Sequence, residues 1–294
     1  MERLYFIVNI LAGGGRCETC FKQVEAELAA RNIPYECAVT QYRRHAVELA
    51  KAAYESGERT IVAVGGDGTV NEVASVLAGT EAVMGVMPFG TGNDLARVLN
   101  FPTEPKAALE AILLGNVRRM DAADANGHFF INVAGFGFDV DVLVCTEKHK
   151  RRYRGMLPYL LGILDALVHL KALPVRIHLE DGSVKEMDAL LIAVGNGAYF
   201  GGGMKVAPEA DPFDGAFDVC VVHKVSRLKF IKLLPRFIKG THIGLSVIEY
   251  FRASELYVEG PQYSVIDVDG ELYSHAPARF TLKKQAVNMI VGAK

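Results

Sequence analysis

Three glycine-rich segments in the N-terminal third of this sequence constrain its fold more than any other feature. They read NILAGGGR at residues 9–16, GGDGT at 65–69 and GTGND at 90–94. Each follows a short apolar run typical of a buried strand and precedes apolar residues spaced for a helix. At such a junction, glycine lets backbone N–H groups approach an anion at the positive end of the helix dipole. The segments therefore favour phosphate-binding turns.

The aspartate of the middle segment has two interpretations. In a phosphate cradle Asp67 repels the ligand unless a cation intervenes, so phosphate binding here requires a metal ion. Alternatively, this is an ordinary strand-to-helix turn in which Asp67 caps backbone N–H groups. Asn93 or Asp94 is likewise a good N-cap for the helix that starts at Leu95. The sequence contains no P-loop motif, and Asn71 stands where a dinucleotide fingerprint requires glycine.

Strands and helices alternate through the first 121 residues. After the β-branched run at 60–64, for example, Val70, Val73, Ala74 and Leu77 follow the spacing of one helix face. This alternation predicts an α/β domain with a doubly wound, mostly parallel sheet. The glycine turns then lie along one edge of the sheet, at the carboxyl ends of its strands, where ligands bind.

Strand patterns dominate from about residue 122. HFFINVAGFGFDV at 128–140 is strand-like, and Val175, Ile177 and Leu179 alternate before the hairpin signal at 181–182. We therefore expect a β-rich second domain, a sandwich.

The predicted domain boundaries follow from this change. The first domain covers 1–121 and the second 122–294, and the return of the C-terminal tail, about 284–294, to the first domain is left open. Helical islands are expected in the second domain at 152–170 and 228–238.

Composition narrows the function classes. The 294 residues contain 32 Lys and Arg against 34 Asp and Glu, so the basic excess of a nucleic-acid binder is absent. Five scattered cysteines do not form a disulfide framework and favour a reducing cytoplasm. The longest apolar stretch, 157–173, contains Asp165, His169 and Lys171, which is unlike a membrane span. We expect a soluble protein.

The paired motifs VGGDGTVNEV and PFGTGNDLAR resemble the diacylglycerol kinase catalytic domain of lipid kinases, a family that includes bacterial diacylglycerol kinases and sphingosine kinases. GGDGT alone is shared with NAD kinases and 6-phosphofructokinases, and GTGND makes the resemblance specific. NILAGGGR is similar to the family's N-P-x-[SA]-G-x-G-[RK], with Ile10 in place of proline. Residues 195–219 match its second-domain signature, and VDGE at 268–271 matches its late DGE element.

The resemblance implies a nucleotide-binding first domain of NAD kinase and phosphofructokinase type and a lipid-substrate second domain. It implies Glu271 as the general base for the acceptor hydroxyl. It also implies that Asp67 helps to hold the Mg²⁺ that bridges the phosphates, with Asp94 nearby. The residues that it places against ATP are Asn9, Ile10, Leu11, Ala12, Gly13, Thr40, Gly66, Asp67, Gly68, Thr69, Val70, Asn71, Glu72 and Thr91.

A second, structural Mg²⁺ is implied at Asp211, Asp214 and the carbonyl of Ala216, linked through Asp121 towards Glu271. The residues alone leave plainer alternatives open. Carboxylates in DPFDGAF are ordinary turn residues, and Asp-Gly before the glutamate is a common hairpin turn that leaves the glutamate solvated.

A basic run precedes the apolar helix pattern of the second domain. This combination suits an anionic membrane surface, although the charged end of a core helix gives the same pattern. The cations are Lys148, Lys150, Arg151, Arg152 and Arg154, and the apolar positions are Leu157, Leu160, Leu161, Leu164 and Val168.

We therefore predict an ATP- and Mg²⁺-dependent lipid kinase of phospholipid biosynthesis, cytoplasmic and peripheral to the inner face of the membrane. Diacylglycerol is the favoured acceptor and phosphatidic acid the product. Phosphatidylglycerol, a sphingoid base, or a non-catalytic nucleotide- or lipid-binding regulator are the alternatives. The oligomeric state is left open, with a homodimer among the alternatives.

Overall fold

A computed structural model describes residues 3–150, 152–153, 155, 157–262, 264–274 and 277–292. The chain forms two compact units. The first comprises Met1–Asp121 with Lys284–Lys294, and the second comprises Ala122–Lys283.

A parallel sheet is the centre of the first unit. Its strands run in the order β2-β1-β3-β4, and the end of the last strand of the chain pairs in parallel with β4. The strands are β1 (Leu4–Val8), β2 (Tyr35–Val39), β3 (Thr60–Gly65) and β4 (Val83–Pro88); the helices are α1 (Arg16–Ala30), α2 (His45–Glu55), α3 (Asp67–Leu77), α4 (Asp94–Val98) and α5 (Pro105–Leu114).

The apolar spacing of the sequence decides which helix face is buried. In α3, Val70, Val73, Ala74 and Leu77 are buried, as the sequence predicts. Crossover helices between parallel strands place every strand-to-helix turn at the same sheet edge. The fold therefore brings the three glycine turns to neighbouring positions after β1, β3 and β4.

The second unit is built from antiparallel pairs, with β9 as the central strand. It pairs with β7, β8 and β12, and the sheet continues from β8 through β14 to β17. Strand β5 (Val117–Ala125) begins in the first unit, and β17 (Ala278–Ile290) ends there. The other strands are β6 (His128–Phe130), β7 (Val133–Gly137), β8 (Leu173–Leu179), β9 (Val184–Gly195), β10 (Tyr199–Phe200), β11 (Met204–Lys205), β12 (Phe217–His223), β13 (Ile248–Ala253), β14 (Glu255–Glu259), β15 (Val265–Val268) and β16 (Glu271–Ser274); the helices are α6 (Phe138–Lys150), α7 (Leu157–Val168) and α8 (Arg227–Lys239).

Strand alternation divides the second unit into two apolar layers. Ile192 and Val194 belong to a cluster made by strand residues alone, which is the sandwich interior. Leu191 and Ala193 face the other way, into a cluster that α6, α7 and α8 cover. A strand presents successive side chains to opposite faces, so β9 contributes to both layers.

The prediction of a strand at 128–140 is partly wrong. The segment 128–140 forms β6 and β7 and then turns into α6, which begins at Phe138. Gly137 has φ of 108°, a conformation that glycine accepts readily, and this residue ends the strand. No helix of the described residues is long and apolar enough to cross a membrane.

Candidate active site

The glycine turns after β3 and β4 pack directly against each other. A Cβ at Gly90 would overlap the Cα of Gly66, so neither backbone leaves room for a side chain at the Gly90 position. By contrast, a Cβ at Gly68 would have no heavy atom within 4 Å, and Gly68 is exposed in the first turn of α3. The close approach therefore fixes the two turns while the start of α3 remains open.

Asp67 joins these two turns through hydrogen bonds to the backbone. Its Oδ2 accepts the N–H of Asn93 at 2.7 Å, and its Oδ1 accepts the N–H groups of Asp94 at 2.7 Å and Leu95 at 3.3 Å. These N–H groups lie at the start of α4, where a negative charge is stabilised. Burial raises the pKa of the Asp67 carboxyl, and the N–H bonds oppose that shift. The capping interpretation thus describes these contacts, and they give no support to Asp67 as a metal ligand.

The first turn is tied to the second by Asn9. Its Nδ2 donates to Thr69 Oγ1 at 3.1 Å, and its Oδ1 accepts the N–H of Leu11 at 3.2 Å. A Cβ at Gly13, which has φ of 61°, would come within 2.5 Å of the Phe89 carbonyl oxygen. The three turns therefore form one interlocked edge.

Some expected ATP-contact residues use their side chains for folding. The Glu72 carboxylate accepts the N–H groups of Arg44 and Ala46, both at 3.2 Å, at the start of α2. Val70 is buried in the core. Thr40 donates its backbone N–H to Val8 at 2.9 Å. For Glu72 and Val70, the described contacts are those of structural side chains.

Arg16 adds a positive charge to the open part of this edge. Arg16 is exposed, and its Nη2 donates to the Gly90 carbonyl at 3.3 Å, which links the first turn to the last. Leu11 in the first glycine turn and Thr91 in the third are exposed, and Ala12 is half-buried. Backbone N–H groups at a helix start together with a guanidinium suit a phosphate group.

Two further acidic residues of the first unit are buried. Asp94 Oδ1 lies 3.9 Å from Nε of Arg97. Asp121 Oδ1 accepts the N–H of Gln285 at 2.7 Å. The described contacts of Asp121 thus anchor the returning end of β17.

Glu271 begins β16 in the second unit. Its Oε2 accepts the hydroxyl proton of Tyr273 at 2.8 Å, and the Tyr273 ring stacks on His128 with centroids 3.6 Å apart. Glu271 is half-buried and directly follows the hairpin turn at Asp269 and Gly270, so the turn is confirmed and the role of Glu271 as a base stays a prediction. A carboxylate oriented by a hydroxyl suits a proton acceptor.

The hairpin turn before Glu271 is anchored by carboxylates. Asp269 has φ of 48° and Gly270 has φ of 84°, the positive values of a tight hairpin turn. The Asp269 carboxylate accepts N–H groups of residues 131–133 at 2.9 to 3.2 Å, and Asp267 accepts that of Gly270 at 2.7 Å. The turn therefore holds the start of β16, where Glu271 lies, in a fixed position.

A buried carboxylate pair lies close to this turn. Burial raises the pKa of Asp139 to about 7, and burial together with the nearby Asp139 charge raises that of Asp267 well above its usual range. A Cβ at Gly135 would overlap Asp139 Oδ2, so the carboxylate is packed against bare backbone. Such a pair favours a protonated state near neutral pH.

The expected structural metal site lies in one turn before β12. Oxygen donors of the kind that Asp211, Asp214 and the Ala216 carbonyl provide suit Mg²⁺. Asp211 Oδ1 accepts the Phe213 N–H and Asp214 Oδ1 accepts the Ala216 N–H, both at 3.2 Å, while Asp214 forms an ion pair with Arg252. The described residues contain no group of three His, Cys, Asp or Glu side chains arranged around a metal. The donor types fit, and Mg²⁺ would compete with Arg252 for Asp214.

The basic run before α7 is described only in part, because Arg151 and Arg154 lie outside the described residues. Lys150 pairs with Glu147, and His149 pairs with Asp165 at 2.7 Å. The helix after the run exposes an apolar stripe. Its members are Leu157, Leu160, Leu164 and Val168.

Two family models and several known proteins match this chain. The diacylglycerol kinase catalytic domain matches residues 3–125, and the YegS C-terminal NAD kinase beta sandwich-like domain matches 132–291. A diacylglycerol kinase of Mycobacterium tuberculosis is 32% identical over 97% of this chain and 93% of its own length. The chain belongs to the diacylglycerol kinase family.

Other relatives support the assignment of this chain to the diacylglycerol kinase family. A Bacillus subtilis diacylglycerol kinase is 29% identical over 99% of this chain and 97% of its own length. A diacylglycerol kinase structure from Bacillus anthracis has a TM-score of 0.76 at 26% identity, covering 99% of this chain and 97% of that one. Yeast NADH kinase complexed with NADH has a TM-score of 0.57 at 9% identity, covering 100% and 84%, which shows the fold alone.

The chain is thus a lipid kinase, as the motifs predicted, and a transferase that acts on a lipid. The predicted fold class, an NAD kinase-like α/β domain with a β-sandwich domain, is confirmed.

Sequence reasoning missed several groups that organise the site of this family member. Arg16 stood in the first glycine motif but was not assigned to the site, although a cation after a glycine run is a recognisable signal. Asp139 and Asp267 gave no signal, because their proximity arises from the packing of α6 against β15. Asp269 was read only as a turn residue, while its carboxylate binds a distant segment.

Proposed function

We propose that this lipid kinase transfers the γ-phosphate of ATP to the hydroxyl of diacylglycerol, giving phosphatidic acid and releasing ADP. The similarity to diacylglycerol kinases of Mycobacterium tuberculosis and Bacillus subtilis supports the acceptor. The proposal that ATP binds the first unit rests on its interlocked glycine edge. There is free space around Gly68, whereas Gly90 is packed against Gly66. Such an edge presents backbone N–H groups to phosphate without a side chain in the way.

The first unit would bind the phosphates. The open start of α3 and the Arg16 guanidinium would neutralise negative charge, and Asn9 with Thr69 would hold the two turns in register. Phosphoryl transfer depends mainly on such positioning and charge stabilisation. Asp67 would act by fixing the turns, since its carboxylate is engaged by α4.

Glu271 would accept the proton of the lipid hydroxyl as that oxygen attacks the γ-phosphorus. Tyr273 would orient the Glu271 carboxylate, and Asp269 would fix the turn that precedes it. General-base catalysis of this kind contributes about 10² to 10⁴ in rate.

Mg²⁺ bound with ATP would supply charge neutralisation on the transferred phosphoryl group. Asp94 is the remaining candidate for a metal-linked carboxylate beside the phosphates. Asp211, Asp214 and the Ala216 carbonyl would hold the structural Mg²⁺.

The acceptor would be taken from a membrane surface. The exposed apolar stripe of α7, preceded by Lys148 and Lys150, supports this proposal because cations beside apolar residues suit an anionic bilayer.

The test is phosphate transfer from labelled ATP to lipids in neutral detergent micelles. Diacylglycerol, phosphatidylglycerol and a sphingoid base are offered separately, with Glu271→Gln as the inactive control. Labelled phosphatidic acid that depends on Glu271 supports the proposal. Preferential labelling of another lipid overturns the acceptor, and tight ATP binding with no labelled product from any lipid points to a regulator.

A further inference from the structure

Helix α8 presents a basic and apolar surface that the lipid-kinase motifs do not include. Its sequence, RLKFIKLLPRFIK, contains five cations and no acidic residue. Ser226 caps its start by accepting the Lys229 N–H at 3.4 Å, and Gly240 with φ of 69° ends it. The helix is therefore a defined element with a strong local positive charge.

One face of α8 anchors it to the second unit. Phe230, Leu233 and Phe237 are buried in the apolar layer that also contains α6 and α7 residues. Phe230 packs edge-on against Phe138 of α6 with ring centroids 4.7 Å apart. These anchors fix which side of α8 faces solvent.

The solvent side carries large apolar side chains beside the cations. Leu228 is 75% exposed, Ile238 59% and Ile231 44%. At about 100° of rotation per residue, these three span an arc of about 80°. The cations Lys229, Lys232, Arg236 and Lys239 span an adjacent arc of about 80°. We call these seven residues the α8 outer face.

The cations of this face are available for an external partner. In the part of the chain that the structure describes, no ion pair involves Lys229, Lys232 or Lys239, and Arg236 donates to the Thr241 carbonyl at 3.3 Å. Lysines without acidic partners attract an anionic surface, and exposed large apolar residues need an apolar phase.

We propose that the α8 outer face docks on an anionic phospholipid bilayer, with Leu228, Ile231 and Ile238 entering the interface and the lysines contacting lipid phosphates. Charge complementarity selects this occupant, since an amphipathic helix with a basic edge is the form that binds such surfaces. The inference rests on the proposed function, because a kinase of membrane lipids must reach its acceptor in the bilayer. It adds a second contact, separate from the 148–154 run.

The test measures binding of the full chain to vesicles by co-sedimentation, without ATP. The vesicles contain either phosphatidylcholine alone or phosphatidylcholine with about 30% phosphatidylglycerol, which makes their surface anionic. The variant replaces Lys229, Lys232 and Lys239 by Gln. Its matched control replaces Lys22, Lys51 and Lys106 by Gln, exposed lysines of the first unit.

We expect the α8 variant to bind anionic vesicles about a hundredfold more weakly, since each of the three lysines contributes about fivefold. The control should stay within about twofold. Leu228→Ser with Ile238→Ser should weaken binding to both vesicle types. Anionic-vesicle binding of the α8 variant equal to wild type overturns the proposal.

A second copy of the chain is the rival occupant. Its signature is a change of oligomeric state in the α8 variant with vesicle binding unchanged, which also overturns the proposal. Transfer to diacylglycerol in neutral micelles is measured in parallel for all variants. If the wild type transfers no phosphate to diacylglycerol, the proposed function is refuted. If the α8 variant is as active as the wild type but no longer binds vesicles, docking through the α8 outer face is supported.

Discussion

The carboxylate of Asp67 accepts the backbone N–H of Asp94 at 2.7 Å, and this bond holds two glycine turns at one edge of the first unit. If Asp67 is a direct metal ligand, its effect on the stability of the metal-free protein differs from the effect expected of a structural cap. A metal ligand contributes little to folding without its metal, because its charge then lacks a partner. A cap that accepts three N–H groups contributes in every condition.

Asp67→Asn is therefore expected to lower the free energy of unfolding in EDTA by about 1 to 3 kcal/mol, since one oxygen becomes a donor facing N–H groups. Urea unfolding measures the change. Asp181→Asn is the matched control: that exposed aspartate also accepts a backbone N–H, from Ser183 at 2.8 Å, and should cost less than about 1 kcal/mol. Unchanged stability of Asp67→Asn in EDTA would contradict the capping role.

The paired glycines allow folding and ligand binding to be separated. Gly90→Ala places a methyl group against Gly66, so we expect a loss of at least about 2 kcal/mol in unfolding free energy. Gly68→Ala adds a methyl group in open space on a helix, which should leave stability equal or raise it by up to about 1 kcal/mol. The same methyl group covers the proposed phosphate edge, so the KM for ATP should rise. An unchanged KM in Gly68→Ala argues against phosphate binding at the start of α3.

Much of the first unit could be predicted from local pattern. The alternation of strands and helices predicts a parallel sheet. The geometry of such a sheet places its strand-to-helix turns at one edge. The N–H contacts of Asp67 match the capping alternative, and the close packing of Gly66 on Gly90 shows how the fold brings Asp67 to the start of α4; its role toward a metal stays a prediction. In the second unit α6 was missed because its apolar content does not follow a helical stripe, and its first residues continue a strand-like run.

Contacts between distant segments were beyond the sequence. Asp269 binds the N–H groups of residues 131–133, more than 130 positions away. No periodicity or motif encodes such a pairing, which follows from β15 lying beside β7.

The buried Asp139 carboxyl predicts a pH dependence of stability. Its pKa is about 7 in the folded chain, against an ordinary value of 3.8. The folded state therefore holds this proton more tightly, and its stabilising contribution is complete below about pH 4 and lost as the pH rises through 7. Asp139→Asn removes the titration, so it should raise the free energy of unfolding by up to about 4 kcal/mol at pH 8 and change it little at pH 4.

Thermal unfolding at both pH values measures this difference. Asp181→Asn provides a control of opposite sign, since hydrogen bonds from Ser183 lower the pKa of that exposed carboxyl. A stability gain of Asp139→Asn that is the same at pH 4 and pH 8 would show that titration is not its cause.

Tyr273 is expected to affect turnover without affecting nucleotide binding. Its hydroxyl donates to Glu271 at 2.8 Å, so Tyr273→Phe leaves the proposed base less well oriented. We expect kcat to fall about tenfold with the KM for ATP unchanged. Tyr257→Phe, a change on strand β14 of the same unit, serves as control and should leave both constants unchanged. An equal loss in both variants would assign the effect to the sheet rather than to Glu271.

Arg252 and Mg²⁺ should compete for Asp214. If the turn at 211–216 holds Mg²⁺, the ion stabilises the folded state by an amount that grows with its concentration, since it binds the folded chain only. Adding Mg²⁺ should then raise the Tm of wild type and not that of Asp214→Asn. Arg252→Gln removes the competing guanidinium, so the same Tm rise should occur at about a tenfold lower Mg²⁺ concentration. A Tm response of Asp214→Asn equal to that of wild type would place any structural Mg²⁺ elsewhere in the chain.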